Sequence, residues 1–387
     1  MPSDFASGVD PQLTDGLTAT RRPLAEARTL PRAVYTDSAI LDLEYRHLFA
    51  KRWLAIAREE DLPDAGSFLT FEIGGERILI VRAEDGALRA FHNICRHRGS
   101  HLIDEPYGRL RGAIHCPYHA WTYAYDGQLT HAPRTEPGFT TAGLGLTTLQ
   151  LDTLAGFVFI HLDERAPSLG QSLADLPDLT RYRLRDMKRA HRIDYDVRAN
   201  WKIAVENYSE CYHCPSVHPQ LSRLADLMSG HFEQGASFNG GPMQLRSGFS
   251  TMSMSGHSKS GPMQGLPAGD SGLVHYYVVY PNLMLGLHPD YMLVHRAWPR
   301  GTDRTHIVCE WLFPPEHLAD PAFDANEVIA FWDVTNRQDW ALCERVQRGA
   351  TSSGYREGPY HPSERCVHAF DQWYAERLSG WLGATQE

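Results

Sequence analysis

Two thiols and two imidazoles stand in the order Cys95-Arg96-His97 and, eighteen residues on, Cys116-Pro117-Tyr118-His119. Two thiolates on one iron and two neutral histidines on the other would make a Rieske [2Fe–2S] site, a one-electron carrier whose potential lies above that of all-cysteine plant-type clusters. A closed Cys2His2 zinc site is the rival, but zinc fingers place like ligands in pairs, whereas here each half carries one cysteine and one histidine. Gly99 in the first half and Pro117 in the second mark turns, so each half reads as a small loop whose backbone amides can reach the sulfurs. His115 is a bystander, because the Cys-x2-His spacing already uses His119.

A second group begins about ninety residues further on, in the run Glu206-Asn207-Tyr208-Ser209-Glu210-Cys211-Tyr212-His213-Cys214-Pro215-Ser216-Val217-His218. On a helix, Glu206, Glu210 and His213 fall within about 60° of one another. Pro215 disfavours the helical conformation at Cys214, so His218 swings back from beyond a break. Two imidazoles brought together in this way supply two-thirds of a facial triad, the ligand set that leaves positions open on iron(II). Cys211 and Cys214 spell Cys-x-x-Cys, but they sit late in a helical run with His213 between them, and read as buried, reduced thiols rather than a redox pair.

The missing carboxylate is sought in the helical pattern from Asn326 to Gly349. Val328, Trp332, Thr335, Leu342 and Val346 line one face within about 40° of its centre, and Asp339 falls in that stripe while Asp333 projects about 140° away. A carboxylate among apolar residues is costly unless it is bound to metal or paired, with Arg337 as the nearby partner. Asp333 reads as an ordinary solvated charge.

With both groups in one chain, in the order cluster, histidine pair, aspartate, the sequence resembles the catalytic α subunits of Rieske non-heme iron oxygenases over nearly its whole length. The resemblance implies that Cys95, His97, Cys116 and His119 bind the [2Fe–2S] cluster and that His213, His218 and Asp339 hold a mononuclear Fe(II) that uses O2. It places Asn207 in the iron pocket and makes Glu210 the carboxylate linking that site to a cluster histidine of a neighbouring subunit, which implies a homotrimer. Glu210, and the phrase from Glu206 to His218, are similar to the subgroup acting on carnitine, choline, glycine betaine and stachydrine. The implied activity is therefore hydroxylation and oxidative N-demethylation of a quaternary ammonium compound. A ring-hydroxylating or O-demethylating oxygenase, and a Rieske electron carrier joined to a ligand-binding domain, are the alternatives. No Gly-x-Gly-x-x-Gly follows a strand, so a separate NAD(P)H-dependent reductase or ferredoxin is expected to deliver electrons.

The elements that must hold these residues follow from the punctuation. Residues 1–52 read as an arm and a short helix, with apolar residues at helical spacing from Ala39 to about Arg52. Residues 53–162 are rich in short strands (Ser67 to Ile73, Glu76 to Arg82, Gly156 to Leu162) and form a small all-β cluster domain. Residues 163–387 make the catalytic domain, an α+β helix-grip in which strands from Val274, Leu283, Tyr291 and Thr305 form an antiparallel sheet crossed by the helix at 326–349. Between them, Gly235 to Gly272 lacks periodicity and reads as a lid over the iron pocket. Tyr276, Tyr277, Tyr280, Tyr291 and Trp298 offer faces for a trimethylammonium group, though alternation lets only some of them reach it.

The chain has 387 residues, a formal charge of −10 and seven cysteines. The acidic balance speaks against a nucleic-acid partner. An odd cysteine count without a dense framework fits metal ligands and free thiols in a reducing cytoplasm. No run approaches the roughly 20 apolar residues of a membrane span.

Overall fold

The computed structural model describes residues 11–384. They form two compact units, one of Tyr45–Ser172 and one joining the residues up to Glu44 with those from Leu173 onward.

In the smaller unit, seven antiparallel strands lie in the order Leu54–Arg58, Phe157–His161, Thr148–Leu154, Leu88–His92, Glu76–Arg82, Ser67–Ile73, Tyr107–Arg109. Glu76–Arg82 reads apolar through its middle because it is covered on both faces, with Ile78 to Val81 fully buried. Three short strands, Ile114–His115, Thr122–Tyr123 and Leu129–His131, form a second sheet. Phe68, Leu79, Phe91, Leu102, Trp121 and Tyr123 pack into one core that also contains Cys95 and Cys116.

The larger unit is built on an eight-stranded antiparallel sheet. Its central strands are Leu273–Val279, Leu283–Leu287, Met292–Gly301 and Arg304–Phe313, joined on one side by Lys188–Val197 and on the other by Phe238–Leu245. The long helix Asn326–Ala350 lies against it: Asp333 accepts from Tyr195 at 2.8 Å, and His295 and Asn336 meet at 3.2 Å. This is the α+β helix-grip arrangement expected. Among the described residues no helix is long and apolar enough to cross a membrane.

Several details depart from the sequence reading. Phe238–Leu245 is a strand of the sheet rather than part of a lid. The chain that follows it packs inward: Met252 O accepts from Tyr291, Thr251 donates to Asp290, and Met252 and Ser253 are buried. The expected helix stripe is also rotated, since Val346 is 49% exposed while Cys343 and Gln347 are buried. Asp333 is not simply solvated, because it accepts from Tyr195 and pairs with Arg337 at 2.9 Å. Of the arm, residues 1–10 lie outside the described residues. Pro11–Thr20 is a helix, and the turn after it is held to the terminal helix Arg365–Ala384, where His368 meets Thr20 O at 3.2 Å and Arg22 O at 3.0 Å. The next helix of comparable length runs Ser38–His47.

The helix Trp201–Tyr208 leads into the segment with the two candidate histidines, and its cap explains its start. Asn200 accepts from the Lys202 amide at 3.1 Å and its own side-chain amide donates to Thr302 O at 2.9 Å. Behind it lies a buried polar cluster. Lys202 and Glu44, both 0% exposed, form an ion pair that Trp201 Nε1 and the Tyr374 hydroxyl complete through hydrogen bonds to Glu44. One turn on, Glu206 accepts from Tyr35 at 2.8 Å, and Asp371 Oδ2 accepts from Tyr360 at 2.6 Å. Asp371 Oδ1 is buried with no donor among the described residues, and the charge of the neighbouring Glu206 carboxylate acts on it. Two carboxylates so placed must share a proton. Burial pushes Glu206 up to about 7, against the opposing Tyr35 hydrogen bond and Lys202 charge, and burial together with the Glu206 charge raises Asp371.

The folded chain therefore keeps a proton that the unfolded chain has lost, so this pair's contribution is present at low pH and declines as pH rises from about 4.5 to about 7. Glu206→Gln, whose amide donates to Asp371 without titrating, should flatten that decline. Urea midpoints of wild type and variant at pH 5.5 and 8 test this; parallel changes in the two proteins would show that no proton is shared.

Candidate metal centres

The two loops of the smaller unit repeat one backbone pattern. The Cys95 amide donates to Ser100 O at 2.8 Å and the Cys116 amide to Trp121 O at 2.8 Å, each spanning five residues. Gly99 and Ala120, each four residues past its cysteine, donate back to that cysteine's carbonyl at 3.0 and 3.1 Å with φ of +70° and +57°. The left-handed turn costs glycine nothing, and at Ala120 the loop imposes it on a residue with a Cβ. Asn93 anchors the first loop through a pair of bonds to the Ile103 backbone, at 2.6 and 3.2 Å.

The result puts both thiols inside and both imidazoles outside. Cys95 and Cys116 are 3% exposed, whereas His97 and His119 are exposed with ring centroids 4.7 Å apart. Trp121 stacks on His97 at 4.9 Å, nearly parallel. The Arg96 amide donates to the Tyr123 hydroxyl at 3.1 Å, which leaves that hydroxyl's proton for Cys95 Sγ at 3.2 Å. A hydrogen bond to sulfur stabilises a thiolate and tunes a cluster it holds. Two buried sulfurs beside two solvent-facing imidazoles suit a [2Fe–2S] cluster ligated by histidine at its outer edge. His115 lies on the strand Ile114–His115, and its ring meets Thr122 Oγ1 at 3.0 Å.

In the larger unit the helix stops at Tyr208, earlier than the helical stripe of Glu206, Glu210 and His213 requires. Ser209 closes it by donating its hydroxyl to Val205 O at 2.7 Å, and the chain turns so that Glu210 folds over the next residues. Glu210 accepts from the amides of Tyr212 and His213 and from His213 Nδ1. After the short helix Cys214–Val217, His218 opens a second short helix, Pro219–Leu224, and returns to face His213. The same turn brings the Cys211 and Cys214 Cα atoms to 4.9 Å, and the two are joined in a disulfide, not the reduced thiols that the sequence suggests.

His213 Nε2, His218 Nε2 and Asp339 Oδ1 converge, at separations of 3.1 Å between the imidazoles and 3.2 and 2.8 Å to the carboxylate. His213 Nδ1 is taken by Glu210 and His218 Nδ1 by Gln338 Oε1 at 2.7 Å. Each ring's proton is thereby drawn outward, which aims lone pairs at the point the three atoms share. Burial lowers His213, but its hydrogen bonds to the Asp339 and Glu210 carboxylates outweigh that and carry the group up to about 9; Asp339 is held low by the two histidines in spite of burial. Such a pocket calls for positive charge. Ligands about 2.1 Å from one ion and at right angles stand about 3 Å apart, so the spacing suits a divalent ion with open positions. Cys214 Sγ lies within 4.8 Å of the same imidazoles, but its bond to Cys211 removes it as a thiolate donor. Arg337, the alternative partner for Asp339, pairs with Asp333 instead.

These atoms border a cavity of about 430 Å³ that Asn207 and Glu210 also line. Tyr208, Tyr276 and Trp332 give it aromatic walls, with ring centroids 6.1 Å apart for Tyr208 and Tyr276 and 6.3 Å for Tyr276 and Trp332. The hydroxyls of Tyr208 and Tyr276 are buried and have no partner among the described residues. Of the five strand aromatics singled out from sequence, Tyr276 reaches the cavity. Tyr277 turns to Glu233 at 2.9 Å, Tyr280 packs on Trp373 at 4.3 Å, Tyr291 stands behind Trp332, and Trp298 is buried in the strand Met292–Gly301 away from the cavity lining. Trp332 and Thr335 belong to the apolar stripe of the sequence, yet with Asp339 they recur at i, i+3 and i+7, so their shared face is legible there. Gln338 and Tyr208 carry no spacing signal that marks them as part of the site.

Residues 52–153 match the model of the Rieske [2Fe-2S] domain, and residues 184–380 that of the ring hydroxylating alpha subunit (catalytic domain). The chain is 31% identical to the glycine betaine monooxygenase oxygenase subunit of Pseudomonas aeruginosa, over 92% of this chain and 90% of that one. It is 33% identical to the carnitine monooxygenase oxygenase subunit of Escherichia coli, over 86% of each. The solved quaternary ammonium Rieske monooxygenase CntA, in complex with gamma-butyrobetaine, superposes with a TM-score of 0.75 at 27% identity, covering 95% of this chain and 99% of that one. Naphthalene 1,2-dioxygenase from Rhodococcus, at 18% identity and a TM-score of 0.75, shares the fold over 95% of this chain and 97% of its own.

Proposed function

As a member of the family of ring-hydroxylating oxygenase α subunits that carry a Rieske [2Fe–2S] domain, the chain is an O2-using oxidoreductase that works with a separate reductase, and we propose that it N-demethylates a quaternary ammonium compound of the glycine betaine type. The observation that carries this reading is the cavity that joins His213, His218 and Asp339 to the aromatic faces of Tyr208, Tyr276 and Trp332. A trimethylammonium group has no proton to donate and is held by aromatic faces at roughly 0.5–2 kcal/mol each. The relatives named for glycine betaine and carnitine point the same way.

In this reading Cys95, Cys116, His97 and His119 hold the cluster, and His213, His218 and Asp339 hold the mononuclear iron. Iron held there supplies the one-electron chemistry that O2 activation requires. Glu210 orients His213 through Nδ1 and is the carboxylate through which an electron crosses from a neighbouring chain of a cytoplasmic homotrimer. Asn207 and the aromatic walls position one N-methyl group and keep bulk water from it. O2, two electrons from the reductase and two protons convert that methyl to hydroxymethyl and release water. The hydroxymethyl O–H proton then leaves, the C–N bond pair returns to nitrogen, and formaldehyde departs from a tertiary amine.

Oxygen uptake and formaldehyde release by the iron-loaded protein, with a surrogate reductase and a panel of quaternary amines and aromatic acids, test the activity. The expected outcome is matched stoichiometry with one quaternary amine; turnover confined to an aromatic acid would overturn the reading. His218→Ala should lower the iron content from about three to about two per chain and keep the cluster's visible spectrum. Unchanged non-cluster iron would remove His218 from the ligand set. Glu210→Gln should leave both metals bound and slow cluster reoxidation in a single turnover at least tenfold, and wild-type kinetics there would end the bridging role.

A further inference from the structure

Among the described residues bordering the cavity, Arg365 is the one lysine or arginine. It is the exposed first residue of the terminal helix Arg365–Ala384, and its guanidinium makes no hydrogen bond or ion pair among the described residues. The neighbouring carboxylate, Glu364, is engaged elsewhere, accepting from the His361 amide. A guanidinium without a partner at the edge of an active-site cavity carries charge that folding does not use.

The backbone that carries it is fastened on two sides. Asn239 Nδ2 donates to Cys366 O at 2.7 Å, and Cys366 Sγ reaches Gly240 O at 3.8 Å, so the first turn of the helix is fastened to the strand Phe238–Leu245 that forms a cavity wall. One turn earlier, His361 stacks on Tyr212 at 4.0 Å, nearly parallel, and Tyr212 donates its amide to Glu210. The segment bearing Arg365 is thus tied to both the wall and the turn that orients His213. Ser363 and Cys366 also border the cavity, so the positive end of a 20-residue helix faces the same space. The full negative charges bordering it, Glu210 and Asp339, are both engaged with histidines.

The charge layout divides the cavity by substrate group. Aromatic faces suit an ammonium head and give nothing to a carboxylate, which on entering would lose hydration and need a donor fork. We infer that Arg365 takes the carboxylate of the substrate, so that the site selects zwitterionic quaternary amines over those ending in an alcohol. This rests on the N-demethylation reading above and narrows its substrate class.

Glycine betaine, carnitine and choline share the trimethylammonium group, and only the first two carry a carboxylate. Calorimetric Kd values for the three on iron-loaded wild type, Arg365→Ala and Arg365→Lys separate head-group from carboxylate recognition, with formaldehyde release measured alongside. In Arg365→Ala the carboxylate compound that wild type binds best should weaken by about ten- to a hundredfold, as expected for loss of a charge-assisted pair. Choline should change by less than about twofold, and Arg365→Lys should recover part of the discrimination. An unchanged ratio between carboxylate compound and choline in Arg365→Ala would overturn the assignment while wild-type formaldehyde release leaves N-demethylation standing. Wild type that neither binds nor demethylates any of the three would overturn both.

Discussion

Three electron-pair donors pointed at one another are unstable without a cation between them, and the catalytic unit is organised around that condition. His213 and His218 each give the outer ring nitrogen to a fixed acceptor, Glu210 and Gln338, and present the other to Asp339. With both imidazoles neutral, lone-pair repulsion and lost hydration make such a convergence costly, and a proton on His213 or a metal ion relieves it, so the surrounding chain has to hold the three groups in place. The acceptors do more than decorate the rings. They set the tautomer, and the tautomer decides whether lone pairs or protons face the centre.

Rigidity for that arrangement comes from the polar cluster behind the helix Trp201–Tyr208. The Glu44–Lys202 pair is fully buried yet completed by hydrogen bonds from Trp201 and Tyr374, and the Glu206–Asp371 pair is bracketed by two tyrosine hydroxyls. Buried charge gives little net stability, but breaking one side of such a network is expensive, which disfavours alternative packings. The helix is therefore fixed at its base while its far end unwinds at Tyr208. Unwinding is what frees Glu210, His213 and His218 from helical spacing and lets a turn place them. In the smaller unit a matched pair of tight loops does the corresponding work, sorting the four candidate ligands by burial so that sulfur lies inside and imidazole outside.

Much of the site is legible in the amino-acid order. The mixed cysteine and histidine halves, the histidines on either side of Pro215 and the carboxylate inside an apolar stripe all carry their chemistry in residue type and spacing. The strands Ser67–Ile73, Glu76–Arg82 and Leu283–Leu287 and the helix Asn326–Ala350 follow from apolar runs and periodicity, because they are buried in ways that leave a mark on composition. Phe238–Leu245 is illegible for the opposite reason. Its glycines and proline carry no strand signal, and it is pairing with Leu273–Val279 on one side and with Ala225–Asp226 and Glu233–Gln234 on the other that makes it extended.

What the sequence determined by itself was the inventory: which side chains can bind metal, in what order, and on which elements most of them ride. Tertiary structure alone decided which of those groups meet. Gln338 at His218, Trp332 and Tyr208 beside the triad, the apposition of Glu206 with Asp371 and the unpaired Arg365 at the cavity edge all join segments far apart in the chain. No local spacing encodes such meetings, since they arise when whole elements pack and the cost of burying each polar group is settled against whatever distant partner the fold brings to it.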